Sequence, residues 1–328
     1  MRSVKKILAL SFVFLLTFQT IGIVGYAANT ESNSSGNIMI ESKETPQSSK
    51  ENEAQILTEI EQSERIETKS ESEQIGKGVT FTTFEMLDAR GWINGEMLEI
   101  DLKNEAVSLD LLTADGVVAA SEPISEVTKR EGAIASVNGD FFDINSTQAP
   151  LGIEIKDNEI IKGPNNGREM AAGVTTEGIG EIAAIFLEGT FTFNEQEHEL
   201  ASYNQNTIPE NGIGLYNALW GQASREGAVH GDRNVYEVII EEGEVVKTGS
   251  EISDDEITKN RNILIGRGNG TDTLKEMRVG DSVTVEYAPK TNGDGEYAFA
   301  IGGNPTLVKE GAVQDVDDET LAPRPAVG

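Results

Sequence analysis

Apolar and polar positions alternate in short runs along most of this chain. Leu98, Ile100 and Leu102 alternate with Glu99, Asp101 and Lys103, and Val107, Leu109 and Leu111 repeat the pattern after Asn104-Glu105. A period of two with one polar side predicts two half-buried strands joined at that break. Pro123 then opens a short helix through Arg130, with basic residues in its last turn and Gly132 beyond its end. Ala133, Ile134 and Val137 predict a buried strand that runs into a polar loop. Gly152-Ile153-Glu154-Ile155 and Ile160-Ile161 predict a hairpin, with Asp157-Asn158 as its turn. Ala183 to Phe193, Tyr236 to Val246 and Ser282 to Tyr287 read as further strands, with turns at Glu242-Gly243 and Gly280-Asp281. Tyr297 to Gly311 reads as an apolar strand, a Gly-Gly turn with Asn304, and a second short strand.

The first part of the chain lacks this alternation. Arg2, Lys5 and Lys6 precede an apolar run from Ile7 to Val24, and Gly25-Tyr26-Ala27 offers the small residues of a cleavage site. Residues 1–27 thus have the layout of a secretory signal peptide. An uncleaved signal anchor is the alternative, since the run approaches membrane-spanning length. Residues 28–76 are rich in Ser, Glu, Asn, Gln and Lys and have no aromatic residue after Tyr26. Such a segment buries too little apolar surface to offset its chain entropy, so it is expected to be a disordered acidic linker. The folded part is expected over 77–328.

Composition narrows the partners. The formal net charge is −30, and there is no cysteine. A surface this acidic argues against nucleic acid, whose phosphates demand cations. It is compatible with calcium binding, and equally with colloidal repulsion in a cell-wall environment. The absence of disulfides suits a bacterial surface protein. Trp220 offers either a face for a sugar or a core anchor, and His230 reads as a surface-loop histidine.

The densest chemistry lies after the predicted strand at Ala133. Asn138, Asp140 and Asp143 place an amide and two carboxylates in one short loop, interrupted by Phe141 and Phe142, and Gly139 permits a sharp turn. Two readings stand: a functional site, or side chains that cap their own turns.

Asn138-Gly139-Asp140-Phe141-Phe142-Asp143, followed by Pro150-Leu151-Gly152, resembles the phosphodiester glycosidase family. Glu122-Pro123 with Ser125-Glu126 resembles the helix before that motif, and Ile301-Gly302-Gly303-Asn304-Pro305 with Leu307-Val308 and Gly311 resembles the family's Gly-Gly strand. Pro323-Arg324 with Ala326-Val327-Gly328 resembles its Pro-Arg-Thr-Ala-Ile-Gly segment, with Pro325 in place of the threonine. The match runs collinearly over about 77–328. The stretch from about 183 to 286 is similar to a β-rich insertion of bacterial members.

The resemblance implies an α+β fold with mixed β-sheets, few helices and that β-rich insertion. It implies a secreted or cell-surface hydrolase that cleaves a sugar-1-phosphodiester of the GlcNAc-1-phosphate type in surface glycans or exopolysaccharide. Asp140 and Asp143 would then stabilise a cationic sugar, activate water or hold calcium, and Arg324 would grip the phosphate. Asn138, Gly139, Phe142, Gly303 and Asn304 would bind substrate. Calcium is the one cofactor suggested. Family members continue to an Asp-Gly-Arg strand and an Asp-Gly-Gly-Gly-Ser motif that this sequence lacks, so it is expected to be incomplete at its C-terminus. The alternative is a non-catalytic, acidic, cell-wall-associated module that binds glycan or calcium.

Overall fold

The computed structural model describes residues 65–328, except positions 90, 294 and 317–323. The expected signal peptide (1–27) and most of the expected linker (28–76) lie outside the described residues. The end of that linker is ordered. Ile66–Gly76 forms strand β1, antiparallel to β2 (Val79–Asp88), and β3 (Gly91–Ile100) completes a three-stranded sheet. Composition misleads here because β1 is stabilised through its ladder rather than by burial. All but its last two residues are exposed. Cross-strand contacts such as Ser72 Oγ to Thr82 Oγ1 at 2.9 Å add to the pairing.

The second predicted strand, Val107 to Leu111, has no regular secondary structure and joins no ladder among the described residues. Leu109 and Leu111 instead pack beneath a larger sheet, so one-sided burial gives the same alternation without strand pairing. Helix α1 (Ile124–Glu131) forms as expected after Pro123. Gly132 ends it at φ 67°, a left-handed conformation that costs glycine least. The strand predicted at Ala133 does not form. Residues 133–139 run as irregular chain, and Ile134 is 57% exposed. They lie beside α1 and the three-stranded sheet, where Ile134 approaches Gly76.

The hairpin at the centre of the sequence is present as β4 (Glu154–Lys156) and β5 (Glu159–Lys162). Asp157 and Asn158 sit at φ 53° and 67°, the positive values that a tight two-residue turn requires. The chain continues through β6 (Met170–Thr175), β7 (Gly180–Phe193), β8 (Gln196–Glu199), β9 (Ser202–Tyr203) and β10 (Ile213–Tyr216). Next come β11 (Val235–Glu241), β12 (Glu244–Gly249), β13 (Arg261–Arg267) and the short helix α2 (Gly270–Leu274). Strands β14 (Val283–Thr291), β15 (Tyr297–Gly302), β16 (Val308–Lys309) and β17 (Ala312–Val313) complete the order.

Two sheets build the main body. One has the order β14-β7-β6-β15-β4-β5, with β8 alongside β7; the other has the order β12-β11-β13-β10-β9. All neighbours are antiparallel except β9 and β10. Ile153, Ile155, Ile185 and Phe191 from the first sheet meet Leu215, Val238 and Leu264 from the second in one core. Burying each such side chain contributes roughly 1.5–3 kcal/mol. The five-stranded sheet lies within the expected insertion, between β7 and β14. Those two strands pair with each other from Ile185↔Thr291 to Phe193↔Val283, so the excursion leaves and returns at one place. It shares the main core.

The opposite face of the larger sheet carries Ile161, Val174 and Phe299, covered by Leu102, Leu109 and Leu111. Among the described residues strand far outweighs helix, and the helices are few and short. No described helix is long and apolar enough to cross a membrane.

Candidate functional site

The β4–β5 hairpin presents Ile155 and Ile160 to the shared core and carries Glu154, Lys162 and Ile161 on its other face. Glu154 pairs across the ladder with Lys162 on one side and with Ile301 on the other. Directly opposed residues of antiparallel strands share a face. Glu154, Lys162 and Ile301 therefore point the same way, and Ile301 touches Gly139. This brings the Asn138–Asp140 loop onto the end of β15, joining two segments far apart in the chain.

Asp140 sits at the centre of the junction. Its backbone has φ 61°, unusual for a residue with a Cβ and tolerated by aspartate better than by most. Oδ2 accepts from the Gly152 N–H at 2.6 Å, and Oδ1 accepts from the Phe141 N–H at 2.7 Å. Close approach demands glycine on both neighbouring strands. A Cβ on Gly152 would stand 2.6 Å from Cα of Gly302 and 3.0 Å from Asp140 Oδ2; one on Gly302 would meet the same groups. Burial pushes the Asp140 carboxyl up, while the two N–H donors, Lys162 and Arg168 pull it back.

Lys162 is fully buried, and its ammonium donates to the carbonyls of Gly152 and Gly163, each at 2.7 Å. Burial lowers its pKa, opposed by the nearby Glu154 and Asp140. Glu154 is 5% exposed, and its Oε2 is buried with no hydrogen-bond partner. Burial raises its pKa, Lys162 opposes that, and Asp140 adds to it. Arg168 is half-buried and lies over the Phe141 ring, with its guanidinium carbon 4.8 Å from the centroid.

The other expected site residues fall in varied places. Gly139 and Gly303 belong to the junction, with the Gly303 N–H bonded to the Met170 carbonyl. Asn138 and Asn304 are exposed, and Asn304 precedes a cis peptide bond to Pro305. Phe142 is 46% exposed and bridges to Pro150. Asp143 turns to its own loop: Oδ2 accepts from the Thr147 N–H at 3.0 Å and hydroxyl at 2.9 Å. Bonds from Thr147 and Asn206 lower its pKa against a desolvation that raises it. Arg324 is half-buried in a stretch without regular secondary structure. Trp220 is fully buried and donates to the Ala223 carbonyl, so it is a core anchor. His230 lies at the surface beside Thr207.

Glu154, Lys162 and Arg168 were not among the expected site residues. The hairpin held part of the signal for two of them, a Glu and a Lys at the ends of isoleucine-rich strands. The turn register alone would oppose Glu154 to Ile161, and a register shift beside Ile155 brings Lys162 opposite it instead. Arg168 follows the Gly167 turn and carries no such pattern. Among the described residues, no group of three or more His, Asp or Glu side chains could hold a metal ion.

No family model matches the chain, and no curated protein matches it significantly. Solved structures do. A hypothetical protein from Synechocystis aligns with a TM-score of 0.63 at 17% identity, over 76% of this chain and 46% of that one. This chain thus spans about half the length of that neighbour. A protein from Burkholderia pseudomallei K96243, described as a "putative exported protein", aligns with a TM-score of 0.55 at 13% identity, over 75% of this chain and 73% of that one. At these identities the likeness is one of fold.

Proposed function

We propose that the chain is an exported hydrolase of the phosphodiester glycosidase type, acting on sugar-1-phosphodiesters in surface glycans or exopolysaccharide. The observation that carries the reading is the meeting of the Asn138–Asp140 loop with the Ile301–Gly303 strand end, around a carboxylate flanked by two cations. The chemistry suits that arrangement. Cleavage at the anomeric carbon develops positive charge on the sugar and negative charge on the departing phosphate. Asp140, held by two backbone N–H groups, faces the sugar and either stabilises its cation or activates water. Arg168, partly exposed beside it, offers a planar fork to phosphate oxygens. Arg324 is the family resemblance's own candidate for that task.

The test is hydrolysis of UDP-GlcNAc and a GlcNAc-1-phosphodiester by the purified chain, read as released GlcNAc. Asp140→Asn is expected to lower kcat by about 10²–10³, the usual cost of losing one preorganised electrostatic contact. Arg168→Ala and Arg324→Ala are each expected to raise KM as well. Unchanged turnover in either arginine variant removes that residue from the phosphate site. Binding of glycan without release of sugar by the wild type replaces the hydrolase reading with a non-catalytic glycan-binding module.

A further inference from the structure

The buried face of the β4–β5 hairpin holds three ionisable groups in unequal surroundings. Lys162 has its ammonium solvated by two carbonyls, so its charge is supported. Asp140 accepts two N–H bonds and faces Lys162 and Arg168, so its charge is supported too. Glu154 lacks such donors on its buried oxygen, because its Oε2 accepts nothing. An ionised carboxylate left bare in a protein interior costs far more than a neutral one. The groups that face Glu154 are Lys162 across the ladder, Asp140 from the loop and Lys156 from its own strand. Lys156 is already committed to Asp110 at 2.8 Å and to the Leu111 carbonyl. Lys162 faces both carboxyls, but its hydrogen bonds go to carbonyls. Glu154 thus has an attractive charge nearby and no donor on its buried oxygen, whereas Asp140 has two donors and Arg168 besides.

We propose that Glu154 is the proton donor of this site, a carboxyl kept neutral behind Asp140 that delivers its proton to the oxygen leaving the sugar. Its neutrality stands on the geometry; its role as donor rests on the hydrolase reading above. In the step, the bond from the anomeric carbon to the phosphate oxygen breaks, and the electron pair stays on that oxygen, which takes the proton from Glu154. A water oxygen bonds to the anomeric carbon, and its proton passes to Asp140. Asp140 releases that proton to solvent and Glu154 regains one, so one water is consumed overall. Two carboxyls with unequal support, Asp140 holding two N–H donors and Glu154 Oε2 none, are the means by which acid and base coexist at one pH.

Infrared spectroscopy of the full chain at pH 7 tests the neutrality. Glu237, also buried, accepts from Ser253 and lies 3.9 Å from Arg225. A protonated-carboxyl band is expected in the wild type and is expected to vanish in Glu154→Gln. Glu154→Asp, which shifts the band rather than removing it, serves if the Gln variant does not fold. Absence of the band in the wild type, or its persistence in Glu154→Gln, overturns the proposal. Hydrolysis tests the donor role: Glu154→Gln should lose about 10²–10⁴ in kcat with KM little changed, and lose the basic limb of the pH profile. A wild-type rate in Glu154→Gln overturns that role. A wild type that shows the band but cleaves neither substrate overturns the hydrolase reading, and the donor role with it, while the buried neutral acid stands.

Discussion

At the scale of single residues, the junction is set by what glycine and burial permit. Gly152 and Gly302 let two strands and the Asp140 carboxylate share a space that a methyl group would fill. Gly152→Ala is therefore expected to destabilise the fold by about 1–3 kcal/mol, the usual cost of overpacking a tight site. Urea melts should show a lower midpoint at unchanged slope; an unchanged midpoint means that the strands have room to part. Glu154 makes a second prediction, through linkage. Its native pKa lies above the ordinary carboxylate value of about 4.3, so the native state binds more protons than the unfolded state between the two values. Stability from this group is therefore greatest at acid pH and falls as pH rises through the native pKa. Glu154→Gln removes that slope. The melting temperature of the variant minus that of the wild type should grow from pH 5 to pH 8, and a gap independent of pH would falsify the assignment.

At the scale of elements, the hairpin was legible because its signals are local. Asp157 and Asn158 tolerate positive φ, Ile153 and Ile155 alternate with Glu154 and Lys156 before the turn, and Ile160-Ile161 follows it. Helix α1 was legible for the same reason, with Pro123 and Gly132 marking its ends. Alternation at Val107–Leu111 showed which side is buried but not whether a neighbouring strand supplies hydrogen bonds, and none does. The strand β1 failed in the opposite sense. Its Ser, Thr and Glu side chains bury nothing, and only its register with β2 makes it a strand. The same reasoning limited the site: the Asn138–Asp140 loop could be read from its residues, whereas Lys162 and Glu154 became partners of Asp140 only through strand pairing. An edge strand held by its ladder and by little burial beyond Ile75 should open locally at little cost. Hydrogen exchange is expected to be fast in β1 and slowest at Ile239–Ile240 and Ile263–Ile265, which are buried in paired strands. Protection in β1 equal to that of the five-stranded sheet would mean that β1 is tied down by more than β2.

At the scale of the whole molecule, charge and packing act against each other. The seven- and five-stranded sheets share one core, so the β-rich excursion between β7 and β14 and the body that carries the site should melt together. Against this core stand 56 acidic and 26 basic residues. Exposed ion pairs such as Lys290 with Glu188 at 3.0 Å contribute about 0–1 kcal/mol each and offset little of the repulsion. Raising ionic strength from about 0.01 to 0.15 M shortens the Debye length from about 30 to 8 Å. Long-range repulsion in the native state is then screened, whereas the buried contacts of Lys162 and Arg225 are largely unaffected. Trp220, fully buried in the five-stranded unit, reports the transition by fluorescence once the exposed Trp92 is replaced by Phe. The midpoint is expected to rise by several degrees over that range of salt, since each kcal/mol gained is worth about 2–4 °C in a domain of this size. A midpoint that falls with salt would mean that surface ion pairs outweigh the net charge. It would also remove the argument that the acidic surface exists at a cost in stability, for solubility and for keeping polyanions away.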